Sequence, residues 1–101
     1  MTKQHNYFIY ILTNLYKTVL YIGVTNDLEV RIQQHLEGEN AKSFTKKYKC
    51  FYLVHYERYQ YISDAIDREK ELKGWSRAKK DALIGQENPN WRFLNEEIKE
   101  G

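Results

Sequence analysis

The sequence has almost no cysteine, no long apolar run and little excess of charge of either sign. Its single cysteine, Cys50, has no partner for an internal disulfide or for a cysteine-based metal knuckle. No apolar run approaches the roughly 20 residues that span a bilayer. The first six residues also lack the apolar stretch of a secretory signal. We therefore expect a cytoplasmic protein.

The composition that remains is that of one small globular domain. Hydrophobic residues make up 42% of the 101 residues and aromatic residues 15%, which is too apolar for a disordered chain. A chain of this length can bury one core but not two. The sequence predicts a single domain over residues 1–101, with its core over about 7–94 and an acidic C-terminal tail.

The net charge of +2 says little about partners, but the basic residues are clustered. Aromatic residues interleave with the clusters, and this combination suits a polyanion, since cations attract phosphates and aromatic rings stack on bases. The alternative is a solvated lysine-rich surface, which is the commoner meaning of such runs. The candidate nucleic-acid contacts are Lys42, Lys46, Lys47, Lys49, Lys73, Arg77, Lys79 and Lys80.

Two apolar runs near the N-terminus, around Tyr10 and Tyr21, predict a β-hairpin because they are rich in β-branched and aromatic residues. If Thr13 pairs with Thr18 around a four-residue loop, Tyr10 lies directly opposite Tyr21 on one face of the sheet. The alternative is that both tyrosines are ordinary strand residues.

A helix is predicted from Asp27 to about Leu36, with a capping-box-like start at Asn26. Apolar residues recur every four positions and would form its buried stripe. Arg31 and His35 lie one turn apart along the edge of that stripe, and hence near the sheet. The residues of the stripe are Leu28, Ile32 and Leu36.

The rest of the chain predicts one more strand and two helices, followed by a turn that returns Trp91 and Leu94 to the core. The segments are a polar loop from Gly38 to Lys47, a strand from Lys49 to Glu57, a helix capped by Ser63 and interrupted at Gly74, a shorter helix capped by Ser76 that ends before Gly85, and a turn at Asn88–Asn90.

One carboxylate falls inside the apolar stripe of the helix after Ser63. At about 100° per residue, Glu69 lies about 40° from Ala65, whereas the other acids cluster on the opposite side. A glutamate that faces the core is costly unless it is paired or bound to a metal ion. Glu69 is therefore either a metal ligand or half of a structural ion pair with Arg31 or another cation.

Five residues from these separate arguments meet the needs of phosphodiester hydrolysis. One divalent ion on a single carboxylate lowers the pKa of bound water and binds the phosphate. A guanidinium matches the geometry of phosphate oxygens. A phenol, with an ordinary pKa of about 10, acts as a base at neutral pH only if cations lower that pKa. The five residues are Tyr10, Tyr21, Arg31, His35 and Glu69.

These residues and their neighbours resemble the GIY-YIG nuclease domain from Tyr7 to Leu94, and above all the small stand-alone bacterial GIY-YIG proteins. Any three-letter piece alone is weak evidence, but Arg31 ten residues after Tyr21 and Glu69 four after Ala65 make a specific combination. The matching segments are FIY at 8–10, YIGVTNDL at 21–28, Arg31, His35, FTKKY at 44–48, AIDREKELKGW at 65–75 and NPNW at 88–91.

The resemblance implies an α+β, sandwich-like fold in which helices flank a small three-stranded antiparallel sheet. It also implies cleavage of DNA with one metal ion, Mg²⁺ or Mn²⁺. By analogy, Tyr21 is the general base or orients the attacking water, and Tyr10 contacts the scissile phosphate region. Arg31 stabilises the transition state, His35 joins the proton-transfer network, and Glu69 holds the metal ion.

The sequence departs from the family pattern at three places. Phe8 stands at the first motif glycine. Val24 stands where some relatives, such as the excinuclease C subunit, have a lysine whose charge Lys46 or Lys47 would replace. The candidates for the late asparagine of those relatives are Asn88 and Asn90.

Three functions stay open. The favoured one is a metal-dependent endonuclease that prefers branched, nicked or damaged DNA, as in repair or recombination, because all five chemical positions are filled. The others are a nucleic-acid-binding module that does not cleave, or cleaves only with a protein partner, and a protein-interaction domain that uses the acidic tail. Because a small domain mostly contacts phosphates, we expect preference for DNA structure over base sequence.

Overall fold

The computed structural model describes residues 5–37 and 44–99. The strands form one antiparallel sheet in the order β2-β1-β3. A three-stranded antiparallel sheet is what the family resemblance implies. No helix in these two ranges is long and apolar enough to cross a membrane. In chain order the elements are β1 (Tyr7–Thr13), β2 (Leu20–Thr25), α1 (Leu28–Glu37), α2 (Phe44–Tyr48), β3 (Tyr52–Tyr59), α3 (Ile62–Lys73) and α4 (Arg77–Glu87).

The central strand β1 divides the core into two parts, because successive side chains point to opposite faces of a sheet. Ile9 and Ile11 pack against α3 and α4, on what we name the α3 face. Tyr10 and Leu12 pack with residues of α1 on the α1 face. All four side chains are fully buried. A tyrosine hydroxyl is therefore held in the interior on the α1 face.

The predicted hairpin forms, but its register is two residues away from the predicted one. Tyr10 pairs with Gly23, and Tyr21 pairs with Leu12, so the prediction that the two tyrosines are directly opposed is wrong. A shift of two residues preserves the face of each side chain. Both tyrosines therefore lie on the α1 face, with ring centroids 6.2 Å apart.

The side chain of Asn14 explains the register. Its Oδ1 accepts hydrogen bonds from the backbone N–H groups of Thr18 at 2.8 Å and Val19 at 3.0 Å. These bonds hold six residues in the loop instead of four, and Lys17 adopts a positive φ of 60° within it. The local turn chemistry thus overrides the shorter loop that the strand pattern suggests.

Several predicted element ends are corrected by the structure. The N–H of Val30 donates to Asp27 Oδ1 at 3.1 Å, so Asp27 caps α1 rather than Asn26. Leu36 is 55% exposed and does not belong to the buried stripe. Lys49 lies outside β3, which begins at Tyr52 and extends to Tyr59.

The last two helices also differ in detail. The residue before α3 is Tyr61, with no side-chain cap, so Ser63 is not a cap. Ser76 caps α4 as predicted, since its Oγ accepts from the N–H of Lys79 at 3.2 Å. Helix α4 passes through Gly85 to Glu87 instead of ending before the glycine.

The predicted polar loop from Gly38 to Lys47 contains a helix, α2, from Phe44 onward. Gly38 and Lys42 lie outside the described residues. Thr45 in α2 is completely buried, and its carbonyl accepts from the N–H of Cys50 at 2.9 Å. The sequence does not predict this helix, because Thr45 is its one buried residue and the other positions are lysines and exposed aromatic residues.

The C-terminal segment returns to the sheet as predicted. Leu94 is buried on the α1 face, and its N–H donates to the carbonyl of Leu53 at 2.7 Å. The amide of Asn95 donates to the carbonyl of Phe51 and accepts from the N–H of Leu53. Trp91 packs against the core of the α3 face. The segment thus covers the beginning of β3.

Candidate active site

A line of polar groups runs from the centre of the sheet to α2. The hydroxyl of Tyr10 lies 3.0 Å from Nε2 of His35, and Nδ1 of His35 lies 2.8 Å from Oγ1 of Thr45. Burial, and then the charge of Arg31, lowers the pKa of His35 below its ordinary value. A neutral imidazole has one N–H, so His35 donates to one hydroxyl and accepts from the other. We name this chain of three side chains the relay.

The environment of Tyr10 decides the protonation of its phenol. Burial, and then the neighbouring hydroxyl of Tyr21, raises the pKa of Tyr10 above its ordinary range. The charge of Arg31 and a hydrogen bond from it oppose that rise without reversing it. Arg31 therefore does not make Tyr10 a base at neutral pH, because burial outweighs its effect.

Tyr21 joins the relay to the surface. It is half-buried on β2, an edge strand of the sheet within the described residues. Its ring centroid lies 5.4 Å from that of His35 and 6.0 Å from that of Phe44, the latter nearly parallel. The phenol thus lies between the buried relay and an exposed aromatic residue of α2.

An open cleft of about 280 Å³ lies along β2 beside this phenol. Two ammonium side chains line it, one from α3 and one from α4. We name it the β2 cleft. Its lining residues are Leu20, Tyr21, Ile22, Phe44, Lys73 and Lys80.

Glu69 lies next to the β2 cleft, because it forms an ion pair with Lys73, which lines the cleft. Its carboxylate lies 3.5 Å from Nζ of Lys73 and is 21% exposed. The ion-pair partner of Glu69 is therefore Lys73 and not Arg31. The sequence correctly places Glu69 toward the core side of α3, since Ala65 and Leu72 of the same stripe are fully buried.

The donor chemistry around Glu69 fits a magnesium ion that keeps most of its water. Mg²⁺ is usually bound through one or two carboxylates plus substrate phosphates. No group of three or more His, Cys, Asp or Glu side chains suited to a metal ion occurs within residues 5–37 and 44–99. A site with one carboxylate thus fits, provided that Lys73 releases Glu69 when the ion binds.

The candidate basic residues divide into different groups. Lys73 and Lys80 line the β2 cleft, whereas Lys46 and Lys47 lie on α2. Lys49 directly follows α2 with a positive φ of 57°. Within the described residues, the ammonium groups that line the β2 cleft come from α3 and α4 and not from Lys46 or Lys47.

Arg77 and Lys79 are engaged with other parts of the protein. Arg77 donates to the carbonyls of Thr18 at 2.8 Å and Lys17 at 2.9 Å, and so holds the hairpin loop against α4. The ammonium of Lys79 lies 4.2 Å from the ring centroid of Trp75. The contacts of Arg77 give it a structural role.

The departures from the family pattern have structural explanations. Phe8 packs on the α1 face, 6.4 Å from the ring of Tyr56. Val24 packs on the α3 face. The amide of Asn88 donates to the carbonyls of Val54 and Arg92, so this buried side chain holds the turn to β3. The contacts of Asn88 are structural.

A second polar cluster, which the sequence did not predict, lies on the α3 face. The carboxylate of Glu57 accepts from Tyr59 at 2.7 Å and Arg68 at 2.9 Å, and lies 2.8 Å from Nε2 of His55. Burial raises the pKa of Glu57, but these hydrogen bonds outweigh it and lower the pKa to about 2. The alternation of polar residues along β3 is the signal that predicts a shared face. We name this group the Glu57 cluster.

Comparison with known proteins decides the family. The sequence matches the GIY-YIG catalytic domain over residues 6–81. The chain belongs to the GIY-YIG family. The GIY-YIG domain is in general a nuclease domain that acts on DNA, typically with a divalent metal ion. The match includes all five residues predicted to carry the chemistry.

Other GIY-YIG-type proteins of similar size resemble the chain over most of their length. A UPF0213 protein of Natronomonas pharaonis is 40% identical over 82 residues, which cover 81% of this chain and 94% of that protein. A UPF0213 protein of Bacillus pumilus is 34% identical over 82 residues, which cover 81% and 82%.

A solved structure confirms the predicted α+β architecture. It is the solution NMR structure of the UPF0213 protein BH0048 from Bacillus halodurans, which is 29% identical to the chain. The match has a TM-score of 0.55 and covers 85% of this chain and 89% of that one. The predicted resemblance to small GIY-YIG proteins is thereby confirmed.

Proposed function

We propose that this protein is a metal-dependent endonuclease that hydrolyses DNA phosphodiester bonds and prefers branched, nicked or damaged DNA. The observation that carries the proposal is the position of Tyr21. Its phenol borders a cleft with two ammonium groups and contacts a buried hydrogen-bonded relay. Membership of a nuclease family supports the same reaction.

The positive charges around the β2 cleft support binding of a phosphate there. Lys73 and Lys80 line the cleft, and Arg31 lies beside Tyr10. A guanidinium offers two parallel donors to phosphate oxygens and stays charged at every working pH. We assign the ammonium groups to the DNA backbone and Arg31 to the charge that develops at phosphorus.

The two tyrosines receive different roles from their surroundings. The raised pKa of Tyr10 keeps its phenol protonated, so it acts as a donor that supports the network. Tyr21 then orients the attacking water or removes its proton. His35 has one hydroxyl at each ring nitrogen. Its neutral ring therefore donates one hydrogen bond and accepts one, so that the direction of one hydrogen bond in the relay fixes the direction of the other.

Glu69 would hold the metal ion. When bound, such an ion lowers the pKa of a coordinated water and neutralises charge on the phosphate. Lys73 pairs with Glu69 in this structure. With Glu69 on a metal ion, the ammonium of Lys73 would be available to the DNA backbone. The ion pair of 3.5 Å gives the half-buried carboxylate of Glu69 a partner in the free protein.

A cleavage assay tests the proposal on labelled duplex, nicked, flap, fork, junction and single-stranded DNA, with Mg²⁺, Mn²⁺ or EDTA. We expect metal-dependent cleavage that falls about 100-fold or more in Tyr21→Phe and Glu69→Gln, because each removes a group acting on the reacting water. Tyr16→Phe and Asp67→Asn are matched controls at exposed positions and should cut normally.

A second candidate is a DNA-binding module that does not cleave by itself. The Glu69–Lys73 ion pair favours it, because a carboxylate already neutralised by lysine is a weaker metal ligand. This alternative predicts salt-sensitive binding to the same DNA panel with no product in Mg²⁺ or Mn²⁺.

Cleavage that persists in Glu69→Gln would contradict the assignment of the metal ligand.

A further inference from the structure

Helix α2 presents two aromatic rings to solvent beside the β2 cleft. Phe44 is 43% exposed and Tyr48 is 41% exposed, although both are large rings. Their centroids lie 4.5 Å apart, and the ring of Phe44 is stacked on Tyr21 at 6.0 Å with an interplanar angle of 28°. A continuous aromatic surface therefore leads from the candidate catalytic phenol to solvent.

The buried residue between them fixes the direction of these rings. Thr45 is completely buried and contacts the relay through Nδ1 of His35. Positions four residues apart lie on one face of a helix, so Phe44 and Tyr48 point together when Thr45 points inward. The exposed pair is thus held in place by the same contacts that build the site.

Cations also lie over the two tryptophan rings near the basic helices. Arg68 and Lys79 lie over the ring of Trp75, and Arg77 lies over that of Trp91. At Tyr48 the ammonium of Lys47 lies 5.3 Å from the ring centroid, but the residue is 41% exposed, more than Trp75 or Trp91. Proteins that bind single-stranded nucleic acid combine exposed rings, on which bases stack, with cations that hold the backbone, and Tyr48 and Lys47 offer both groups.

We propose that Phe44 and Tyr48 form a stacking platform for one unpaired nucleobase next to the phosphate held at Tyr21. This inference rests on the proposed function, since it assumes that the β2 cleft binds DNA. Bases inside a duplex are covered by their neighbours, so only an unpaired or extruded base can reach a protein ring. The substrate class is therefore DNA with at least one unpaired nucleotide beside the cleavage point.

The platform is tested by binding measurements in EDTA, where no metal-dependent cleavage occurs. The probes are a duplex with a single-nucleotide bulge of 2-aminopurine and the same sequence with that base paired. Because stacking on aromatic side chains strengthens binding of an exposed base, we expect about tenfold tighter binding to the bulge than to the paired duplex. The bulged base should also lose fluorescence on binding.

Four variants separate stacking from other effects. We expect Phe44→Leu/Tyr48→Leu and Tyr48→Leu to lose most of the bulge preference, whereas Tyr48→Phe keeps it. Tyr61→Leu is the matched control, because Tyr61 is an exposed tyrosine that follows β3, the opposite edge of the sheet. If the double variant does not fold, Tyr48→Leu decides.

Each result leads to a definite conclusion. Equal binding of bulged and paired DNA by the wild type, or a full preference in Tyr48→Leu, overturns the platform. Cleavage that depends on Tyr21 but ignores the bulge overturns the platform and leaves the nuclease intact. Bulge preference that depends on Tyr48, without any cleavage in Mg²⁺ or Mn²⁺, supports the platform and overturns the nuclease.

Discussion

Gly23 is the residue at which the site leaves least space. It faces Tyr10 across the two strands, and a Cβ built there would lie 2.4 Å from the tyrosine hydroxyl and 2.5 Å from Cζ. Atoms in folded proteins do not approach so closely, so the fully buried ring would have to move. The glycine is therefore required by the ring of Tyr10.

We predict that Gly23→Ala lowers the free energy of unfolding by about 1–3 kcal/mol, as overpacking of a core does. It should also displace the Tyr10 hydroxyl from His35. Gly85→Ala is the matched control, because no atom beyond its chain neighbours and the local helix backbone lies within 4 Å of its built Cβ. In a helix interior this change should stabilise by about 0.5–1 kcal/mol. Urea unfolding measures both, and equal effects would contradict the argument.

The residue chemistry of the site was largely predictable from the sequence. Arg31 and His35 follow from helix spacing, and Glu69 from its position in an apolar stripe. The contact of Thr45 with His35 was not predictable, because Thr45 lies in α2 and the lysine-rich sequence of this segment did not predict a helix. The packing of Gly23 against Tyr10 was also beyond the pattern, since the loop around Asn14 sets the register.

At the scale of elements, the Glu57 cluster joins β3 to α3. Its carboxylate is hydrogen-bonded to groups from both elements, and burial leaves it 19% exposed. The sequence suggests both elements but not their connection, because nothing local indicates that Glu57 meets Arg68 eleven residues later. The contact depends on the angle at which α3 crosses the sheet.

We predict that the Glu57 cluster makes the free energy of unfolding decrease as the pH is lowered. The pKa of Glu57 is lowered from its ordinary value of 4.5 to about 2 in the folded protein. Its contribution, on the order of 2–3 kcal/mol, is present above pH 4.5 and is lost as pH falls toward 2. Urea unfolding between pH 2 and 7 should show the wild-type advantage over Glu57→Gln shrinking across that window.

The control for this series is an exposed ion pair. Glu97 lies 3.3 Å from Arg92, and both side chains are at least half exposed. Such pairs contribute about 0–1 kcal/mol, so Glu97→Gln should change stability little at any pH. An advantage over Glu57→Gln that stays constant from pH 2 to 7 would refute the role of the carboxylate charge.

At the scale of the whole molecule, the basic residues of α4 occupy two kinds of position. Arg77 fastens the hairpin loop to α4, whereas Lys80 faces the β2 cleft. The sequence places both in one basic cluster, because charge alone does not distinguish a residue that binds the protein from one that faces a ligand. Only the fold separates them.

We predict opposite effects of neutralising these two residues. Lys80→Gln should weaken DNA binding and reduce the slope of log affinity against log salt by about 0.9, the value for one lost phosphate contact. Arg77→Gln should leave that slope unchanged and lower the free energy of unfolding by about 1 kcal/mol. Titrations at several salt concentrations and urea unfolding measure the pair. A reduced slope in Arg77→Gln would contradict the structural role.

The position of the two site tyrosines in the sheet has a consequence for motion. Tyr10 lies on β1, which is paired on both sides, whereas Tyr21 lies on β2, which is paired to β1 alone among the described strands. Amides of a doubly paired strand exchange with solvent only when the whole domain opens, while an edge strand opens locally. In the proposed function, a DNA substrate that contacts both Tyr21 and the lysines of α3 and α4 would cover this edge. We therefore expect bound DNA to slow amide exchange along β2, whereas the amides of the doubly paired β1, which carries Tyr10, should exchange at the slow global limit with or without DNA.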